Sequence, residues 1–241
     1  SEDLFLRTKY LDEIKGDILD SPLLDSLYYK YSDLPFYIFK EYIEGRYDQR
    51  MDQLVEEKFY LPLGASHLGY LPLQDIDVNL VAPSEIDDYY RYTEVQGFVH
   101  DMGAAMQNGV GGHAGLFSNA NDVAKMMQMF VQCGSYGGRN FFSPSTVSHF
   151  NTRHYESENN RRGIGFDKQQ FEDPGPTCLC ASEQSFGHSG FTGTFAWSDP
   201  ASDLVYVFLS NRTYPTMENT KMVDTNLRSE IQRVIYKAII Q

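Results

Sequence analysis

The sequence predicts an α/β protein of the α+β type, in which a helical region is followed by an antiparallel sheet and a C-terminal packing helix. Apolar residues recur every three or four positions in Asp33–Gly45 and in the run "SNANDVAKMMQMFVQCG", as on one face of a helix. Two later runs, "GTFAW" and "DLVYVFLSN", are typical of strands, and the turn "SDPAS" joins them. The last residues return to the helical period. Helices and sheet therefore pack as layers around a shared core.

Four helices are expected in the helical region. The first spans Asp33–Gly45, with an N-cap aspartate, a proline in its first turn and a terminal glycine. The second spans Asp48–Gly64 and stops near Pro62. The run "SNANDVAKMMQMFVQCG" predicts a capped helix whose methionines face the core, and Pro144 opens a short helix. Residues 64–96 are predicted to be mostly loop.

The sheet region supplies three strands: the two apolar runs and the stretch "QSFGHSG" before them. A long amphipathic helix then runs from Val223 to Ala238. Three strands are few for a sheet that so many helices must cover. We therefore expect further strands from outside this sequence.

Composition excludes several classes of function. The formal net charge of −13 argues against nucleic acid as a partner, because phosphate binding needs a basic face. No apolar run approaches the roughly 20 residues that span a bilayer. Cys133, Cys178 and Cys180 lack the spacing of a zinc site, so we interpret them as structural, and we expect no metal or cofactor.

Three segments carry chemistry-bearing residues: "YKYSDLPFY", "GFVHDMGAAMQNGVGGHAGLFSNANDVAKM" and "QSFGHSGFTGTFAWSDP". Each has a structural explanation when taken alone. Tyr31 can be a packed residue with a solvated hydroxyl, Asp33 an N-cap, His113 a partnered histidine in a tight glycine loop, and His188 an exposed residue at a strand start.

Together and in this order, the three segments resemble the serine β-lactamase and penicillin-binding-protein superfamily, especially its class C-like esterases and amidases. The stretches "HLGY", "APSEID" and "VQGFVHD" extend the resemblance over nearly the whole chain. The most similar subgroup is the β-lactamase-like domain at the C-terminus of bacterial family-3 β-N-acetylglucosaminidases. The resemblance implies a β-lactamase/transpeptidase-like fold.

The resemblance also implies catalytic residues. In this superfamily the serine of a Ser-x-x-Lys motif forms an acyl-enzyme, and a tyrosine beside it relays the proton. Tyr31 matches that tyrosine, and a neighbouring cation is expected to hold its pKa low. Asp33 takes the place where many relatives have asparagine, which removes two donors and adds a negative charge.

The third segment matches the strand that binds substrate, and in the family it is an edge strand. The implied substrate-binding residues are consecutive: His188, Ser189, Gly190, Phe191 and Thr192. His188 and Ser189 would contact a polar or anionic group, and Gly190 would leave room for it. The backbone N–H of Phe191 would be one oxyanion donor.

No Ser-x-x-Lys occurs in this sequence. We therefore expect the C-terminal portion of an incomplete β-lactamase-like fold, with residues 1–183 mostly helix and loop and residues 184–241 forming a hairpin and a helix. The partner of this portion would be the missing N-terminal segment. The chain alone is predicted to be inactive and to self-associate through exposed apolar faces.

Three hypotheses of function follow. The first is a serine hydrolase, an amidase or esterase acting on muropeptide-like, cell-wall-derived material in the periplasm or cell envelope, attached in its parent to a β-N-acetylglucosaminidase. The alternative is a non-catalytic module that binds glycan or peptide, or only supports the glycosidase. A metal hydrolase built on His100, Asp101 and His113 is the third.

Overall fold

The computed structural model describes residues 4–25, 28–156, 160–172 and 175–239. The α-helices in this part are α1 Lys9–Leu19, α2 Leu34–Tyr47, α3 Met51–Val55, α4 Met102–Met106, α5 Ala120–Val131, α6 Pro144–Asn151, α7 Lys221–Asp224 and α8 Leu227–Ile239. The strands are β1 Pro83–Asp87, β2 Thr93–Gln96, β3 Ser135–Tyr136, β4 Arg139–Asn140, β5 Asp167–Lys168, β6 Phe186–Ser189, β7 Phe195–Asp199 and β8 Leu204–Phe208.

The predicted antiparallel sheet is confirmed. Its strand order is β5-β6-β7-β8, and every neighbouring pair is antiparallel. The two apolar runs form β7 and β8, joined by the 3-10 turn Pro200–Ser202. The expected number of strands was too low, because β5 is only two residues long and shows no alternation. The region predicted as loop also contains a hairpin of β1 and β2.

The two faces of the sheet are covered by different helices. Phe195 and Trp197 of β7 point to one face, where they form a buried cluster with Tyr206 of β8. Residues of α8 pack on that cluster: Ile231 and Ile235. The side chains of β7 that point to the opposite face, those of Ala196 and Ser198, are small. Helix α5 lies against β7 and β8. The sheet is therefore the middle layer between α5 and α8.

The methionine helix is confirmed as core. The side chain of Asn119 caps α5 by accepting from the Asp122 N–H at 2.9 Å. Met127 and Met129 are buried, and Met129 joins the largest buried cluster, beneath the segment after α3. A fully buried thioether fills irregular space well, which explains its use here.

Several predicted helix ends were wrong. Helix α2 continues through Gly45 and ends at Tyr47, where the C-cap residue Asp48 has a left-handed φ of 50°. The second predicted helix is α3 followed by a π-helical turn, Glu56–Tyr60. The C-terminal helix is divided into α7 and α8 at Asn226, which has a φ of 49°.

The cysteines divide into a pair and a single thiol. Cys178 and Cys180 form a disulfide whose buried Cys178 packs with Tyr236 of α8. Cys133 is free and exposed. In the part of the chain that the structure describes, no helix combines the length and apolarity needed to span a membrane.

Candidate active site

A cavity of about 420 Å³ brings the first and third sequence segments together. Tyr31 and Asp33 line it from the segment that enters α2, and His188 lines it from β6. His113 of the glycine-rich loop and Arg162 complete its walls. A larger open cavity of about 610 Å³ beside β3 and β4 contains none of the catalytic or substrate-binding residues expected from the sequence.

Arg162 is the central residue that sequence reasoning missed. Its guanidinium lies 5.2 Å from the ring centroid of Tyr29 and 5.3 Å from that of Tyr31. Its Nη1 is 2.8 Å from Nε2 of His188. The only sequence signal was an arginine pair before a glycine in "RRGIGF", and neither period nor spacing marked it.

The contact with Arg162 fixes the tautomer of His188. A guanidinium only donates, so Nε2 of His188 accepts and Nδ1 carries the hydrogen. Nδ1 donates to the carbonyl of Ser189 at 2.8 Å. The cationic group at this end of the cavity is the guanidinium of Arg162, whose Nη2 also lies 3.5 Å from Oδ2 of Asp167.

Tyr31 does not have the lowered pKa that the resemblance implied. Burial raises the pKa of its hydroxyl, and the negative charge of Asp33 raises it further. Arg162 is the expected neighbouring cation and opposes this shift, but it does not reverse it. Tyr31 therefore holds its proton more firmly than an ordinary tyrosine does.

Asp33 stands at the N-cap position of α2, but its side chain caps nothing. Ser32 takes that role, since its Oγ accepts from the Leu34 N–H at 3.2 Å. The structural explanation of Asp33 as a helix cap was therefore wrong. Its carboxylate instead adds negative charge to the cavity wall beside Tyr31.

The glycine-rich loop positions α2. A Cβ on Gly112 would lie 2.3 Å from the carbonyl oxygen of Phe36, so only glycine allows the first turn of α2 to approach this closely. Tyr37 stacks on His113 with ring centroids 4.7 Å apart. Nε2 of His113 is 2.9 Å from Oδ1 of Asp101. This second segment therefore serves as support for the Tyr31 segment.

Strand β6 is not an edge strand, contrary to expectation. It lies between β5 and β7. However, β5 pairs only with Phe186 and Gly187, so His188 and Ser189 pair with β7 alone. The end of β6 that borders the cavity has the open side that an edge strand would provide, and Ser189 is exposed there.

Among the described residues, the turn after β6 leaves the backbone N–H groups of Phe191 and Thr192 free. The Gly190 N–H donates to the carbonyl of Thr194 at 2.8 Å, and the Thr192 carbonyl accepts from the Arg212 N–H at 2.9 Å. A Cβ on Gly190 would meet Oγ1 of Thr194 at 2.1 Å, so a larger residue here would force the Thr194 side chain to turn away. Within the described residues, no group accepts from the N–H of Phe191.

The three candidate metal ligands are not grouped. Nε2 of His100 is 2.9 Å from Oε2 of Glu85, whereas His113 pairs with Asp101. No three His, Cys, Asp or Glu side chains among residues 4–25, 28–156, 160–172 and 175–239 are arranged as a metal site. The geometry therefore gives the metal-hydrolase hypothesis no support.

Curated relatives carry the name of a peptidase. A protein of Escherichia coli O157:H7, provisionally named a D-alanyl-D-alanine carboxypeptidase, is 34% identical over 197 residues, which are 76% of this chain and 45% of that protein. A relative of the same name from Salmonella enteritidis is 34% identical over 205 residues, 80% of this chain and 47% of its own. The chain spans about half the length of the curated relatives it matches.

Solved structures share the fold. Simvastatin synthase of Aspergillus terreus superposes with a TM-score of 0.65 at 14% identity, covering 95% of this chain and 63% of that one. A β-lactamase of Mycobacterium bovis superposes with a TM-score of 0.55 at 18% identity, and the match covers 82% of this chain and 64% of that one. The profile of the family described as Beta-lactamase matches residues 8–227. With most of the chain matched and the fold shared, the predicted superfamily is confirmed: the chain belongs to the Beta-lactamase family.

Proposed function

We propose that this chain forms part of a serine-hydrolase active site that cleaves an amide or ester close to a carboxylate, with the attacking serine on polypeptide outside this sequence. The observation that carries the proposal is the meeting of Tyr31, Arg162 and His188 in one cavity. Three residues after His188, the unpartnered N–H of Phe191 is available as an oxyanion donor.

Each residue has a defined part in the reaction. The serine oxygen attacks the acyl carbon as its proton passes to the tyrosinate form of Tyr31, which then gives that proton to the leaving group. The raised pKa of Tyr31 means that this step needs a further cation, the role that the lysine of Ser-x-x-Lys would fill. The Phe191 N–H would stabilise the oxyanion, and Arg162 with the Ser189 hydroxyl would hold the carboxylate of the substrate.

The substrate class is a peptide that ends in D-alanine. The names of the relatives support this choice, and a terminal carboxylate suits the guanidinium of Arg162. The wider setting belongs to the same proposal: muropeptide-like material, a periplasmic or cell-envelope location, and attachment to a β-N-acetylglucosaminidase. These finer points rest on the resemblance alone.

Acylation by a fluorescent penicillin, read by intact mass, tests the proposal. This chain would be compared with a longer polypeptide that carries a Ser-x-x-Lys segment ahead of it. We expect label only on the longer form, at that serine, and loss of labelling with Tyr31→Phe. Stoichiometric labelling of this chain alone, or no labelling of either form by penicillin and D-alanyl esters, would overturn it.

Asp33 favours a second candidate, a non-catalytic module that binds peptide or glycan. Its charge raises the pKa of Tyr31 and so opposes a tyrosinate base. A module of this kind would bind a D-alanyl peptide or a muropeptide in calorimetry without being acylated in the longer form. Binding together with acylation would remove this candidate.

A further inference from the structure

Two segments of the sequence have no part in the cavity although they belong to the family resemblance. "APSEID" contributes Glu85 of β1, and "VQGFVHD" contributes His100 after β2. The structure joins them, since Nε2 of His100 lies 2.9 Å from Oε2 of Glu85. Glu85 is only 2% exposed, and it also accepts from the Tyr89 hydroxyl and the Met217 N–H, each at 2.9 Å. A buried carboxylate with three donors is firmly held in place.

The histidine of this pair contacts the turn that follows β6. Because Glu85 only accepts, Nε2 of His100 carries the hydrogen. The His100 ring lies 5.4 Å from the Phe191 ring, and the guanidinium of Arg212 lies 4.7 Å from the same ring. Phe191 is 60% exposed, so the protein contacts it on few sides.

These contacts and two further hydrogen bonds form a closed circuit, that is, a series of contacts that begins and ends at Glu85. Nη1 of Arg212 donates to the Met217 carbonyl at 3.1 Å, and the Met217 N–H donates to Glu85. We name the five residues of this circuit the Phe191 clamp: Glu85, His100, Phe191, Arg212 and Met217. The clamp ties the hairpin of β1 and β2 to the turn that carries the free Phe191 N–H.

We propose that Glu85 and His100 are positioning residues that hold the backbone N–H of Phe191 in the orientation required of an oxyanion donor. The oxyanion role rests on the proposed function, but the ordering of the turn does not. A hydrogen-bond donor lowers the barrier only if it is already aimed at the developing charge. Backbone hydrogen bonds from Gly190 to Thr194 and from Arg212 to Thr192 hold the rest of the turn, and the ring contacts of Phe191 with His100 and Arg212 add to the ordering of its own N–H.

The first test needs only this chain. Backbone ¹⁵N relaxation would be measured at Phe191 and Thr192, where we expect order parameters near the ~0.85 of rigid backbone. His100→Gln keeps a donor to Glu85 but removes the ring, so the values should fall towards about 0.6. His100→Phe restores the ring contact and should recover part of the order.

Tyr89→Phe is the matched control, because it removes one of the three donors to Glu85 and a contact with Sδ of Met217, but leaves His100 and Arg212 in contact with the Phe191 ring. It should leave the order parameters of the turn unchanged. Unchanged values in His100→Gln, or an equal fall in His100→Gln and Tyr89→Phe, would overturn the clamp.

The second test uses the longer polypeptide with its Ser-x-x-Lys segment. His100→Gln should slow hydrolysis of a D-alanyl ester by about tenfold in kcat with KM unchanged, since a displaced donor affects the transition state more than binding. Tyr89→Phe should keep kcat. Equal losses in both variants would reduce His100 to a structural role. If the wild type is not acylated, the proposed function fails, while the relaxation measurement still decides whether the clamp orders the turn.

Discussion

At the scale of single residues, the charge pair around Tyr31 decides what the cavity can do. Asp33 raises the pKa of Tyr31 and Arg162 lowers it. Asp33→Asn should therefore lower the pKa of Tyr31, and Arg162→Gln should raise it, because a negative neighbour disfavours tyrosinate and a positive one favours it. The measurement is an NMR titration of chains carrying ¹³C-labelled tyrosine.

Tyr29 provides an internal control for that titration. Burial raises the pKa of Tyr29, Arg162 opposes that shift as it does for Tyr31, and Asp33 is not among the leading causes. Arg162→Gln should thus move both tyrosines upward, and Asp33→Asn should move Tyr31 alone. A rise of the Tyr31 pKa in Asp33→Asn would contradict the account of the site given above.

Lys168 makes stability depend on pH. Burial lowers its pKa to about 8, with Arg153 adding to the shift, while in the unfolded chain it returns to about 10.5. Between these values the unfolded chain binds more protons, so the free energy of unfolding should rise as the pH goes from 8 to 10.5. Below pH 8 the full cost of burying the charge is present, at most about 3 kcal/mol.

Urea unfolding at pH 7 and pH 10.5 checks this, with Lys168→Met as the reference. The difference between wild type and variant removes the titration of the tyrosines, which both proteins share. Wild type should gain stability relative to the variant by about 1–3 kcal/mol on going to the higher pH. If the difference in unfolding free energy between wild type and variant does not vary with pH, burial does not disfavour the charged form of Lys168.

At the scale of elements, the placement of α2 depends on one glycine. Gly112→Ala would put a Cβ 2.3 Å from the Phe36 carbonyl, and a backbone atom cannot yield as a side chain can. We expect a loss of about 1–3 kcal/mol in the free energy of unfolding and displacement of Tyr31 from Arg162. Gly45→Ala is the control, because Gly45 lies within α2 and a Cβ there would have no atom within 4 Å. This variant should raise the free energy of unfolding by roughly 0.5–1 kcal/mol. Chemical denaturation of both variants tests the contrast.

The same elements show how far the sequence predicts this fold. Helix α5 and strands β7 and β8 were predicted because their pattern is local: a cap and an apolar face for the helix, and two apolar runs joined by a turn for the strands. Strand β5 could not be predicted, because its two residues are defined only by pairing with β6. Hairpin β1–β2 is also short, and its buried Glu85 breaks the apolar alternation that marks a strand.

The candidate site divides in the same way. Tyr31 and His188 were predicted from motifs, because the residues next to them in the sequence identify them. Arg162 and Glu85 were not, since each acquires its role from a residue distant in sequence, His188 in the first case and His100 in the second. Likewise, Asp33 fits the pattern of a helix cap, and only the geometry shows that Ser32 caps instead.

At the scale of the whole molecule, an exposed apolar face is opposed by a large net charge. Helix α2 has no buried residue, and its Phe39 and Tyr42 are 57% and 68% exposed. Helix α1, which Lys15 joins to Glu41 of α2, has none either. Apolar patches of this kind favour association, whereas a formal net charge of −13 keeps copies apart.

We therefore expect salt to promote self-association of this chain. Raising the ionic strength from about 0.01 to 1 M shortens the Debye length from ~30 to ~3 Å, so repulsion is screened while apolar attraction is not. Sedimentation velocity should show monomer at low salt and dimer or larger species at high salt. Phe39→Glu with Tyr42→Lys should abolish the shift, and Leu80→Lys, which changes an exposed apolar residue away from α2, should not. If the chain stays monomeric at every salt concentration, the α2 face does not attract a second copy. If the Leu80 variant abolishes the shift as well, association runs through another surface.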